Sequence, residues 1–104
     1  VIEQLQALSD PTRFAIVQMV RDRELAAGDI AKRFKTMTRP AVSQHLRVLK
    51  DCGLLDERRD GTKRMYRIRQ KGFESIKDYL ESFWNSKLRG LKAAAENHER
   101  KQKK

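Results

Sequence analysis

The stretch Thr38-Arg39-Pro40-Ala41-Val42-Ser43-Gln44-His45-Leu46-Arg47-Val48-Leu49-Lys50-Asp51-Cys52-Gly53 constrains this chain more than any other. It reads as one helix with a marked start and stop. Thr38 can cap the N-terminus, and Pro40 is tolerated in the first turn, where a missing N–H leaves no bond unmade. Gly53 supplies a left-handed exit. At about 100° per residue, Val42, Leu46 and Leu49 share a narrow face. Pro40, Ser43, Gln44 and Arg47 share the opposite one, which holds hydrogen-bonding groups, no acid and little to bury. Such a helix suits insertion into a DNA major groove. The competing reading is an ordinary solvated helix face, and the flanking segments have to decide between them.

Upstream, Ile2, Leu5 and Leu8 at threefold spacing suggest a short amphipathic helix. Asp10 followed by Pro11 marks a second helix start. That helix is expected to run to about Arg23, with Ile16, Val17 and Val20 inward and Phe14 and Met19 on its flanks. A shorter helix over Leu25 to Phe34 would carry Ile30, Ala31 and Phe34. Two short helices joined by a tight turn, the second with a polar outer face, make a helix-turn-helix.

After Gly53 the period changes. Two extended runs, Leu54 to Arg59 and Thr62 to Ile68, flank Asp60-Gly61, a strong hairpin signal. Tyr66 and Ile68 alternate with Arg67 and Arg69, so one face of the return strand should pack inward. Seven basic residues (Arg58, Arg59, Lys63, Arg64, Arg67, Arg69 and Lys71) stand against Asp60 alone between Arg58 and Lys71. A basic hairpin directly after a recognition helix is the wing of a winged helix-turn-helix. The other reading is a soluble edge hairpin whose charges only prevent strand pairing.

From Gly72 the helical period returns to about Glu96. Phe73, Ile76, Leu80, Phe83, Leu88 and Leu91 form a stripe, with Tyr79 and Trp84 beside it. A helix of about 24 residues is roughly 36 Å long, more than one small domain can cover. Part of the stripe is therefore expected to meet a second copy. For Phe73 and Ile76 the chain's own core competes with that interface.

The expected architecture is mainly α with a small β-hairpin wing: one winged helix-turn-helix domain over 1–104. Its core would be 9–69, its dimerisation helices about 1–8 and 72–96, and its basic tail 97–104. Lys+Arg of 24 against Asp+Glu of 14 gives a net charge of +10, which favours polyanionic partners, double-stranded DNA first. No apolar run approaches the roughly 20 residues of a membrane span, and no leader pattern opens the chain. The lone Cys52 cannot form an internal disulfide, so a reducing cytoplasm is the expected setting. No nucleophile–base pair or phosphate loop is visible, so neither an enzyme nor a cofactor is expected. The candidate DNA-binding residues are Thr38, Arg39, Pro40, Ser43, Gln44, Arg47 and Lys50 on the helix, and Arg58, Arg59, Lys63 and Arg64 in the wing. The candidate dimer residues are Leu5, Leu8, Tyr79, Leu80, Phe83, Trp84, Leu88 and Leu91. His45, at the edge of the buried face, is expected to make a structural hydrogen bond, with a DNA contact as the alternative. Cys52 is expected to pack rather than to sense redox state.

Taken in order, Leu8-Ser9-Asp10-Pro11-Thr12-Arg13, Glu24-Leu25 through Asp29-Ile30-Ala31, Ala41 through Lys50, Gly53-Leu54-Leu55 and Tyr66-Arg67-Ile68 resemble the ArsR/SmtB-type bacterial repressors over nearly the whole chain. That resemblance implies a homodimeric winged-helix protein that sits on a roughly palindromic operator and blocks transcription. It maps DNA reading onto Arg39, Ser43, Gln44 and Arg47, and onto Lys63 and Arg64 near the wing tip. The departures concern metal. Metal-sensing members carry Cys-x-Cys after Glu-Leu, where this chain has Ala26-Ala27-Gly28, and the last helix has no histidine before His98. A tight transition-metal site needs about three or four soft or imidazole ligands. The chain thus looks like the non-metal branch, whose last helix carries a pair such as Phe83-Trp84. A metal-responsive repressor, a protein-interaction module and a sequence-indifferent DNA binder are the alternatives.

Overall fold

The computed structural model describes residues 1–83. The elements in order are α1 (Ile2–Leu8), α2 (Pro11–Met19), β1 (Leu25–Ala26), α3 (Ala27–Lys32), α4 (Arg39–Asp51), β2 (Leu55–Asp60) and β3 (Lys63–Ile68). A last helix, α5, occupies 70–83 of the described residues. The expected extent of that helix to 96, the residues Trp84, Leu88 and Leu91, and the tail 97–104 lie outside them.

The caps behave as the sequence suggests. Asp10 accepts the Arg13 N–H at 2.9 Å and starts α2, and Thr38 accepts the Ala41 N–H at 3.3 Å and starts α4. A cap like that of Thr38 is worth about 1 kcal/mol. Gly53 leaves α4 at φ +83. Val42, Leu46 and Leu49 are buried, and with Ile16, Val17, Val20, Ile30, Leu54, Leu55 and Tyr66 they build a core with no buried polar residue among those described. Phe73 and Ile76 pack partly against this core, so the chain's own interior takes that end of the stripe.

The middle of the chain differs from expectation. Helix α2 stops at Met19, not near Arg23, and Leu25–Ala26 is a strand rather than the first turn of a helix. These two residues pair with Tyr66 and Met65, making a three-stranded antiparallel sheet of order β1-β3-β2. The pairing is between residues about forty apart, and no local period could announce a strand of two. After Val20 the chain must turn to reach that edge, through the exposed Arg21, Asp22 and Arg23.

The hairpin turn also sits one residue later than Asp60-Gly61. Its central residues are Gly61 and Thr62, since Asp60 pairs with Lys63. A positive φ at Gly61 only (+64) is the type II′ pattern, in which glycine takes the first central position. Moving a turn by one residue moves every cross-strand pair by two, so the inward and outward faces are unchanged but the partners are not. Glu57 meets Tyr66 rather than Arg64.

Two close approaches lock the remaining pieces. Gly72 lies so near the exit of α4 that a Cβ there would stand 1.9 Å from the Gly53 carbonyl oxygen. The Gln4 amide donates to the Cys52 carbonyl at 2.6 Å, tying α1 to the C-terminus of α4.

Candidate nucleic-acid interface

The outer face of α4 forms one wall of a cleft of about 350 Å³, and the front of the hairpin forms the other. Pro40, Ser43, Gln44, Arg47 and Lys50 line the first wall; Glu57, Arg64 and Tyr66 line the second. A second groove, of about 530 Å³, runs between α3, Arg39 and the wing tip at Thr62 and Lys63. Arg64 borders both, so helix and wing make one continuous basic surface. The Arg39 guanidinium lies over Gly28, where a Cβ would come within 2.7 Å of Nη2.

Among the described residues, Arg39, Arg47, Arg59, Lys63 and Arg64 have no acid within ion-pairing range. Ser43 and Gln44 project into the cleft between them, and the Thr38 hydroxyl is engaged as the cap of the helix.

Two expected contacts are placed differently. Arg58 makes a fork of hydrogen bonds to Glu24, Nε to both carboxylate oxygens at 2.9 and 3.0 Å and Nη2 to Oε1 at 2.5 Å. That pair lies beside Val20, Arg67 and Ile68, away from the cleft, because alternation along β2 puts Arg58 on the opposite face from Glu57. Lys50 does reach the cleft, but its Nζ is 3.4 Å from Glu57 Oε2.

Glu57 was not visible as a site residue in the sequence. It accepts the Tyr66 hydroxyl at 3.0 Å on the same oxygen that faces Lys50. Burial works to raise its pKa, but the Tyr66 hydroxyl and the Lys50 ammonium outweigh it and hold the carboxyl below the usual glutamate range. Tyr66 is pushed up to about 12, by burial first and then by its bond to Glu57. A signal did exist: once the turn is centred on Gly61-Thr62, Glu57 falls directly opposite Tyr66.

His45 faces inward, its Nδ1 at 3.3 Å from Arg13 Nη1 and 3.9 Å from Asp10 Oδ2. Arg13 also donates from Nε to the Ala7 carbonyl at 2.7 Å, so it joins the end of α1 to the middle of α4. Cys52 is half-buried, its thiol directed at the Leu49 carbonyl at 3.4 Å, and burial pushes its pKa up. A redox-reactive thiol needs the opposite shift. Among the described residues no cluster of three histidine, cysteine or acidic side chains could hold a metal ion.

Of the expected dimer residues, Leu8 packs partly on the chain's own core, while Leu5 is 40% exposed. Tyr79, Leu80 and Phe83 are each more than half exposed, and an apolar groove runs past Phe73, Ile76 and Leu80. Among the described residues no helix is long and apolar enough to cross a membrane.

Known proteins share this fold and much of the sequence. Residues 10–57 match the family described as bacterial regulatory protein, arsR family. The HTH-type transcriptional regulator Rv2034 of Mycobacterium tuberculosis is 42% identical over 82% of this chain and 78% of its own. The transcriptional repressor SdpR of Bacillus subtilis is 30% identical over 77% of this chain and 88% of its own. The crystal structure of a possible transcriptional regulator for arsenical resistance superposes with a TM-score of 0.72 at 38% identity, covering 89% of this chain and 96% of that one. A crystal structure of an ArsR family transcriptional regulator gives 0.75 at 26% identity, over 80% and 90%.

Proposed function

The chain belongs to the ArsR family of bacterial regulatory proteins, and we propose that it is a sequence-specific, DNA-binding transcriptional repressor acting as a homodimer on a roughly palindromic operator. One observation carries this reading. The outward side chains of α4 and the wing cations Lys63 and Arg64 line two adjoining grooves, with Ser43, Gln44 and Arg47 in the one that Arg64 closes. Gln44 is suited to an adenine edge and Arg47 or Arg39 to a guanine edge, each worth about 1–3 kcal/mol of discrimination. Arg59, Lys63 and Arg64 hold phosphates. Lys50 and Arg58 are left out of the contact set, because Glu57 and Glu24 engage them.

Two-fold symmetry would put half-sites about one helical turn, or a small multiple of it, apart. The exposed Leu80 and the apolar groove beside it support pairing through α5. Sedimentation of Leu80→Asp protein is expected to shift toward monomer, and an unchanged dimer would move the interface elsewhere.

The decisive test is selection of bound duplexes from a random pool. A two-fold motif is expected, with Gln44→Ala relaxing preference at one position per half-site. Recovery of no motif would favour the protein-interaction reading.

A further inference from the structure

The cleft between α4 and the wing holds one acid among its described lining residues, and that acid is built in rather than incidental. Glu57 has a side-chain exposure of 18%, against 49% for its neighbour Lys50. Its Oε2 is held from two sides, by the Tyr66 hydroxyl at 3.0 Å and by Lys50 Nζ at 3.4 Å. Tyr66 is itself core, 3% exposed, so the carboxylate is anchored to the sheet rather than free to swing away. Arg47 and Arg64 line the same cleft and have no acid within ion-pairing range.

A negative charge at this place works against the affinity that the rest of the surface supplies. We propose that Glu57 is a specificity-determining residue of the DNA surface, silencing Lys50 and repelling phosphates that enter the cleft out of register. This rests on the reading of the cleft as the DNA surface. Non-specific binding is almost wholly phosphate attraction, and in it the backbone settles wherever cations are free. Base contacts at Gln44 and Arg47 fix the duplex in one position, so a charge that penalises the other positions widens the gap between them. Discrimination by repulsion is a general route to specificity.

The test compares the operator recovered by selection with a random duplex of equal length, each titrated across a salt series. Glu57→Gln keeps an acceptor for the Tyr66 hydroxyl and removes only the charge. It is expected to raise affinity for the random duplex by about fivefold and to steepen its log–log salt slope by about 0.9, the value for one added phosphate contact. Operator affinity should change less than about twofold, so the specificity ratio falls. Adding Lys50→Ala to Glu57→Gln should return the random-duplex slope to that of the wild type. Lys50→Ala alone, at an exposed position that does not endanger folding, should leave that slope unchanged.

An unchanged ratio and slope in folded Glu57→Gln protein would overturn the proposal. So would a loss of operator affinity only, which would make Glu57 a base contact. A slope lowered by about one in Lys50→Ala would overturn it too, whether or not Glu57→Gln folds. A wild-type protein that prefers no duplex would overturn the DNA reading and this proposal together. A preference that survives Glu57→Gln intact would overturn this proposal only.

Discussion

The two faces of the β2–β3 hairpin carry similar cations and use them differently. On the front, Arg59 pairs with Arg64 across the strands, and neither has an acid within ion-pairing range. On the back, Arg58 is forked onto Glu24, and Arg67 and Arg69 lie 3.9 and 4.0 Å from Asp56. The residue count along this segment, seven bases to one acid, suggests a uniformly positive wing. The acids that divide it come from outside that window: Glu24 from the end of the α2–β1 connection, Asp56 and Glu57 from the start of β2. Charge density in sequence therefore overstates the number of cations left without an acid after folding. What matters is which cations are left without a carboxylate in range after folding: Arg59 and Arg64 on the front of the hairpin, and Lys63 at the wing tip beside α3 and Arg39.

Three measurements can break or sharpen this contrast. The largest effect should come from removing what holds both faces in place. Leu46 is 1% exposed under α4, and Leu46→Ala is expected to cost about 2–5 kcal/mol in urea denaturation. DNA binding should fall with the folded fraction.

Next, Lys63→Ala with Arg64→Ala should lower affinity for every duplex by roughly tenfold to a hundredfold and reduce the salt slope by about two. Arg58→Ala should leave both quantities unchanged and lower the melting midpoint slightly, since its partner is Glu24. If Arg58→Ala reduced the slope as the double substitution does, the Arg58–Glu24 pair would belong to the interface and the contrast would collapse.

The smallest effects concern pH. Arg58 hydrogen bonds hold Glu24 below the usual range, and Tyr66 and Lys50 do the same for Glu57 against the opposing effect of burial. A depressed carboxyl contributes stability above its unfolded value and loses it as pH falls through the folded one, so the loss should begin below about pH 4.3. Glu24→Gln and Glu57→Gln should each flatten that acid arm. Tyr66 is shifted the other way. Its contribution is complete below about pH 10 and should disappear as pH rises toward about 12. Absorbance titration of the phenolate checks this, and Glu57→Gln should bring the transition down.

Much of the fold was legible because its signals are local. Asp10 and Thr38 each cap the turn of helix that starts beside them, and Val42, Leu46 and Leu49 declare a buried face by spacing alone. The hairpin was legible to within one residue, because Gly61 can serve either of two turn placements and only the partner strand selects one. The strand Leu25–Ala26 was not legible, since two residues have no period and their structure is dictated by Tyr66 and Met65. For the same reason neither the Arg58–Glu24 fork nor the Glu57–Tyr66 bond could be read from the sequence. The partners lie 34 and 9 residues apart in sequence.

The sequence by itself determined the recognition helix, its caps, its buried Val-Leu-Leu face and the excess of positive charge, each set by chemistry within a few turns of chain. The tertiary structure alone decided which of those charges remain available. Ion pairing depends on distances that only the completed sheet sets: it engages Arg58 with Glu24 and Lys50 with Glu57, and it leaves Arg39, Arg47, Arg59, Lys63 and Arg64 with no carboxylate in ion-pairing range.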